Sequence, residues 1–234
     1  GALTVATTGT LTNTGADAVI LSNNSANVTA GAGITNTNGA SIQAASLAIS
    51  TPTLNNNGGT LVQTGEANQT ITLTGEVSNV EGLIASNAAN LTLNSQNILN
   101  QGGVIQHAGT GNLAVTATNQ LNNSTTASAA GTIVGNNTAS INAATIDNTG
   151  LNAANPSIIT ATNALSITTT GNAGDTTNTT SLNNTQGLIA AGTALNVNAA
   201  NTLNNAGGTI QAASLNIQTG NLNNTAVGAN AAQL

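Results

Sequence analysis

Along the chain the simplest pattern is a strict alternation of aliphatic and small or polar residues. Leu47/Ile49, Ile71/Leu73, Leu91/Leu93, Leu113/Val115, Leu165/Ile167, Leu195/Val197 and Leu215/Ile217 each flank a single Ala, Thr, Ser or Asn. A period of two predicts a short strand with one face buried. A second apolar segment recurs as adjacent residues, at Leu61-Val62, Leu83-Ile84, Val104-Ile105, Ile133-Val134, Ile158-Ile159 and Leu188-Ile189, and as Ile210 alone. Turn signals such as Gly58-Gly59, Gly102-Gly103 and Gly207-Gly208 separate the segments, because glycine enters positive φ at little cost.

A third segment is a triplet opened by an aliphatic residue and closed by Asn: "LTN" at 11, "ITN" at 34, "LNN" at 54, "VSN" at 77, "ILN" at 98, "LNN" at 121, "IDN" at 146 and "LNN" at 182, 203 and 222. Successive triplets lie 19 to 25 residues apart, except for one gap of 36. That period belongs to solenoids and is too short for a propeller blade. Three short strands per repeat, joined by tight corners and restarting one sheet spacing higher, predict an all-β fold. The expectation is a right-handed parallel β-helix of about ten coils with three strands per coil. Stacking would place Asn13, Asn36, Asn56, Asn79, Asn100, Asn123, Asn148, Asn184, Asn205 and Asn224 above one another about 4.8 Å apart. An amide both donates and accepts, so the column is expected to form a hydrogen-bonded ladder at one corner.

One repeat cannot stand alone. Roughly five inward aliphatic side chains contribute about 10 kcal/mol gross, less than the backbone entropy of ordering ~20 residues. Burial against neighbouring coils supplies the difference, and residues 1–234 read as a single solenoid segment of a longer array, with both ends uncapped: "GALTVATTGT" resembles the last strand of a preceding coil and "AVGANAAQL" an unfinished one. The long gap contains "TTTGNAGDTTNTTS", residues 168–181, with no apolar residue larger than Ala. It is expected to be a loop thrown out of the stack. Asp175, Thr176, Thr177 and Asn178 are its candidate contact residues, since loops on rigid scaffolds often carry binding.

Composition narrows the functions. The 234 residues include no Lys, Arg, Cys, Met or aromatic residue, one His and six acids, for a formal charge of −6. Without cations the chain has no means of neutralising phosphates, which argues against nucleic acid as a partner, and no apolar run is long enough for membrane insertion. Nucleophilic and metal chemistry need His or Cys partners. His107 alone is expected to be an incidental surface residue, and Asp17, Glu66, Glu76, Glu81, Asp147 and Asp175 are scattered over different coils. No enzyme activity, cofactor or metal site is expected. Sequons such as Asn27-Val28-Thr29, Asn68-Gln69-Thr70, Asn90-Leu91-Thr92 and Asn136-Asn137-Thr138 follow from composition. A flat Thr row of the ice-binding kind is not expected, because the column Ala48, Thr72, Thr92, Ala114, Ser166, Asn196 and Asn216 is mixed.

The repeats "LNNTQGLIAAGTALNVNAANT" (182–202) and "LNNAGGTIQAASLNIQTGN" (203–221) resemble the haemagglutinin repeats of filamentous haemagglutinin and of contact-dependent inhibition exoproteins. The resemblance spans nearly the whole chain and is strongest after residue 182. The chain differs from better-known members in lacking Lys and Arg. The resemblance implies a β-helical shaft exported through an outer-membrane two-partner secretion pore and displayed, secreted or at the cell surface, by a Gram-negative bacterium. The expected function is to space and present a distal adhesive or toxin region. The alternative is that the segment itself binds a receptor on host cells or neighbouring bacteria, or a sister filament by lateral self-association, through its lateral face and the 168–181 loop.

Overall fold

A computed structural model of the chain describes residues 1–171, 179–228 and 230–234. It is all β, without helices among the described residues, and forms a parallel β-solenoid of about nine turns, one fewer than the ten triplets suggest because ten corner asparagines bound nine turns. Every pairing between its strands is parallel and joins one turn to the next.

Each turn contributes to three strips of sheet, named here A, B and C in the order in which they follow the ladder asparagine. Sheet A runs through Thr60–Gln63, Leu83–Ser86, Val104–His107, Thr132–Gly135, Ile158–Ala161, Leu188–Ala191 and Thr209–Gln211. Sheet B carries the alternating segments, such as Gln69–Thr72 and Leu165–Thr169. Sheet C ends in the triplets, as in Glu76–Ser78 and Thr180–Asn183. The division is not absolute. Asn112–Asn122 and Ala194–Asn204 run from B into C without a break, and the pairings slip at Ala117/Gln120 and Ala199/Thr202, where an unpaired residue bends the strand round the corner.

The core is the narrow interior enclosed by the three strips. Ile84, Ile105, Ile133, Ile159 and Ile189 line it from sheet A, Leu91/Leu93, Leu113/Val115 and Leu195/Val197 from sheet B, and Val77, Ile98, Leu121, Ile146, Leu182 and Leu203 from sheet C, all buried. Only one member of each sheet A pair points inward. Ile84 is buried and Leu83 is not; Leu61 is buried and Val62 is not. A strand alternates its side chains, so two adjacent apolar residues must face opposite sides.

One turn of sheet B is displaced from the sequence reading. Ile71 pairs with Leu93 and Gln69 with Leu91, so Gln69 takes the inward position that Leu holds in the turns on either side. Leu73 then falls beyond it, still buried. The outward column accordingly holds Thr70 and not Thr72 beside Thr92. It remains mixed.

Candidate functional site

The most regular feature of the molecule is the corner from sheet C to sheet A. The Nδ2 of each of Asn13, Asn36, Asn56, Asn79, Asn100, Asn123, Asn148, Asn184 and Asn205 donates to the Oδ1 of the next asparagine, ending at Asn224, at 2.7–2.8 Å. The same Nδ2 also donates to the backbone carbonyl that opens sheet A one turn on, as Asn56 does to Leu83 and Asn100 to Thr132. Asn36 to Asn205 are fully buried. All nine links run in one direction, so each amide fills the orphan acceptor of its neighbour and the column is satisfied only as a series.

The asparagine also closes the corner. Gly59, Gly82, Gly103, Gly187 and Gly208 each donate their N–H to the carbonyl of the asparagine three residues before. The third residue of these turns has positive φ, as at Gly58, Gly102 and Gly207, which is the type II requirement. Glu81 and Gln186 hold that position in two turns, at φ 53°. The glycine at the fourth position is needed for space: a Cβ on Gly103 would lie 1.9 Å from the Asn79 carbonyl oxygen, and one on Gly59 the same distance from that of Asn36.

The sequence reading placed the excursion of the long gap wholly at 168–181. In the structure Thr168 and Thr169 instead end a sheet B strand paired with the next turn, Thr180 and Ser181 begin a sheet C strand, and residues 172–178 lie outside the described residues. Residues 149–157 leave the stack between Asn148 and sheet A and are closed by a bridge between Asn152 and Asn155. One turn earlier, residues 124–131 make a similar excursion, with the Thr126 hydroxyl donating to the Glu81 carboxylate at 2.8 Å. Both sit on the ladder corner, and a small cleft between them is lined by Thr126, Ala129, Leu151 and Asn155. A cleft of about 350 Å³ over Leu188 and Thr209 lies between Pro156 and Gln233. The signal for these loops was a delay: five residues separate Asn56 from inward Leu61, but ten separate Asn123 from Ile133 and eleven Asn148 from Ile159. The expected contact residues Asp175, Thr176, Thr177 and Asn178 lie outside the described residues.

A second column runs beside the first. Asn183 donates to Asp147 and Thr149, Asn204 to Asn183, and Asn223 to Asn204, through the middle residue of the triplet. Sequence reasoning had seen only the third position. At the corner from A to B a shorter run joins Asn90 to Asn68.

His107 is fully buried, against the expectation of a surface position. It ends its sheet A strand on the inward side, its Nε2 is 2.8 Å from the Ala88 carbonyl oxygen, and Nδ1 has no partner. The alternation that turns Ile105 inward also turns His107 inward, two residues later. The described acids are not brought together. Asp17 and Glu66 lie exposed at corners, Glu76 opens a strand of sheet C, and Asp147 accepts the Thr149 N–H. No group of three His, Cys, Asp or Glu side chains that would hold a metal occurs among the described residues.

The outward positions form long columns. On sheet B they are small and neutral: Thr70, Thr92, Ala114, Ser140 and Ser166 stand one per turn. On sheet A they hold the other halves of the apolar pairs. Leu83, Val104, Thr132, Ile158 and Leu188 make one column, with Val62, Ala85, Gln106, Val134 and Thr160 beside it. Comparison of the chain with family models, with curated proteins and with solved structures finds no match.

Proposed function

We propose that the chain is a structural shaft of a secreted, surface-displayed bacterial filament of the adhesin or contact-dependent inhibition kind, which spaces and presents a distal binding or toxin region. The observation that supports this most directly is the unbroken Asn13 to Asn224 ladder, in which each asparagine hands its donor to the one in the next turn. In such a stack length is proportional to the number of turns, at about 4.8 Å each, so the nine turns span about 45 Å. Each added repeat extends reach without a new fold. The resemblance of the repeats to those of filamentous haemagglutinin agrees with this, as does a surface nearly free of charge. Export would pass through an outer-membrane pore, and the reading has no catalytic step.

The alternative gains from the loops at 124–131 and 149–157, because two insertions stacked on one corner interrupt an otherwise uniform rod. The two readings part in one experiment. Purified, labelled, folded chain is offered to host epithelial cells and to bacteria, in its natural form and with 184–204, one full turn, removed. A shaft stays folded after the deletion and shows no saturable binding in either form. Saturable binding lost on shortening 149–157 would replace the shaft reading with that of a recognition module.

A further inference from the structure

The outward face of sheet A is unexplained by a passive rod. Its register places Val62, Leu83, Val104, Val134, Ile158 and Leu188 on one continuous strip, all outside the core and all only half-buried by their neighbours above and below. Val19 and Leu21, at the first rung of the same face, are 56% and 53% exposed. The outward positions between them are Thr, Ser, Gln or Ala, and none is charged. A solvated sheet face ordinarily alternates apolar inward with polar outward. Sheet A departs from this on its outward side, where Val, Leu or Ile alternates with neutral Thr, Ser, Gln and Ala, a pattern closer to that of a strand covered on both faces.

We propose that this face is a dimerisation surface, covered by sheet A of a second copy of the chain. Charge bears on the choice of face. The chain carries a formal charge of −6 with no Lys or Arg, and no described carboxylate stands on a sheet A strand: Glu76 and Asp147 are on sheet C, Asp17 and Glu81 on the corner that leads into sheet A, and Glu66 on the corner that leaves it. Two copies meeting through sheet C would cover Glu76 and Asp147 with no cation to pair with them. Sheet B is neutral but lined mainly with Thr, Ser and Asn, so covering it removes little apolar surface from water. Sheet A combines neutrality with β-branched and leucine side chains, and two such faces complement each other as an isologous pair.

Area is sufficient. Nine rungs at about 4.8 Å and a four-residue width give a footprint of about 550 Å² on each copy, or about 1,100 Å² for the pair. That clears the ~1,000 Å² expected of a specific interface. The absence of cations and aromatic rings leaves the strip poorly suited to nucleic acid or to stacked sugars.

Sedimentation equilibrium of the 234-residue chain, run up to about 200 µM, tests this. The expected result is a reversible dimer of twice 22.5 kDa, strengthened as salt screens the like charges. Replacing Leu83, Val104 and Leu188 together with Thr should weaken dimerisation by about tenfold or more. Thr already occupies that column at Thr60, Thr132 and Thr209, so this variant retains the fold, which circular dichroism verifies. Val104→Glu should abolish the dimer, and Ser140→Glu on sheet B should leave it intact. A chain that stays monomeric at every concentration and salt, or a dimer indifferent to both sheet A variants, overturns the proposal.

Discussion

Two corners of each turn solve the same problem in different ways. At the corner from C to A the same residue, asparagine, stands ten times along the stack, and each passes a hydrogen bond to the next turn. At the corner from A to B, the inward position that closes sheet A holds Ala44, Gln63, Ser86, His107, Gly135 and Ala161 in successive turns. There Gln63 donates to Gly65, two residues on, and Ser86 accepts from Ala88. His107 instead reaches back to the Ala88 carbonyl of the turn before, and a corner whose side-chain bonds differ from turn to turn, and never join like to like, accepts whatever side chain fits. A corner bonded between turns must present the same donor and acceptor every time, because one change strands two neighbours.

The sharpest way to break this contrast is Gly103→Ala. Its Cβ would have to displace the Asn79 carbonyl, so a loss of about 3 kcal/mol or more is expected in chemical denaturation. Gly15→Ala, at the first rung with open space around it, should cost only about 1 kcal/mol, from its positive φ.

Next come the ladder amides. Asn100→Ala should cost about 2–4 kcal/mol, since it takes the shortest acceptor from the Asn79 amide and the donor from the buried Asn123 Oδ1 and from the Thr132 carbonyl. Asn100→Asp should cost more at neutral pH, because one carboxylate oxygen would face the Gly103 and Thr132 carbonyls and Asn123 Oδ1. Burial among oxygens raises the folded-state pKa of the new acid above its unfolded value near 3.9. The variant therefore binds more protons folded than unfolded, and its deficit relative to the natural chain should shrink on acidification towards about pH 4. A deficit independent of pH would remove the ladder explanation.

A milder effect sharpens the other side. His107→Gln keeps a donor for the Ala88 carbonyl in a column that already holds Gln63, and should change stability by less than about 1 kcal/mol. A loss as large as that of Asn100→Ala would erase the distinction between the corners. Smallest of all, Gln186→Gly should raise stability by about 0.5–1 kcal/mol, because Gly58, Gly102 and Gly207 hold the same positive φ without side-chain strain. Thermal melting resolves the sign.

Much of this fold was legible in the chain. The ladder could be read because an asparagine whose partner is its own copy in the next turn must recur, and recurrence is visible without coordinates. The phase of sheet A was legible too, though by a finer count: the inward residue lies five after the asparagine in Asn56 to Leu61, Asn79 to Ile84 and Asn184 to Ile189. Taking Leu61-Val62 and Leu83-Ile84 as equivalent pairs hid that one faces in first and the other second. His107 was misplaced because its polarity was weighed above its position two residues past Ile105.

By itself, then, the sequence determined the period, the three strands of each turn and the residue at the ladder corner, all set by local alternation and by identity between repeats. Only the tertiary structure decided which side chains become neighbours across turns. It slipped Gln69 into the row of Leu91, drew the middle residues Asn183, Asn204 and Asn223 into a second column, stacked the loops 124–131 and 149–157 on one corner, and joined Leu83, Val104, Ile158 and Leu188 into one apolar strip. The reason is register. Pairing between turns is fixed by hydrogen bonds between residues about twenty or more positions apart, and no local pattern specifies how an irregular turn realigns with its neighbours.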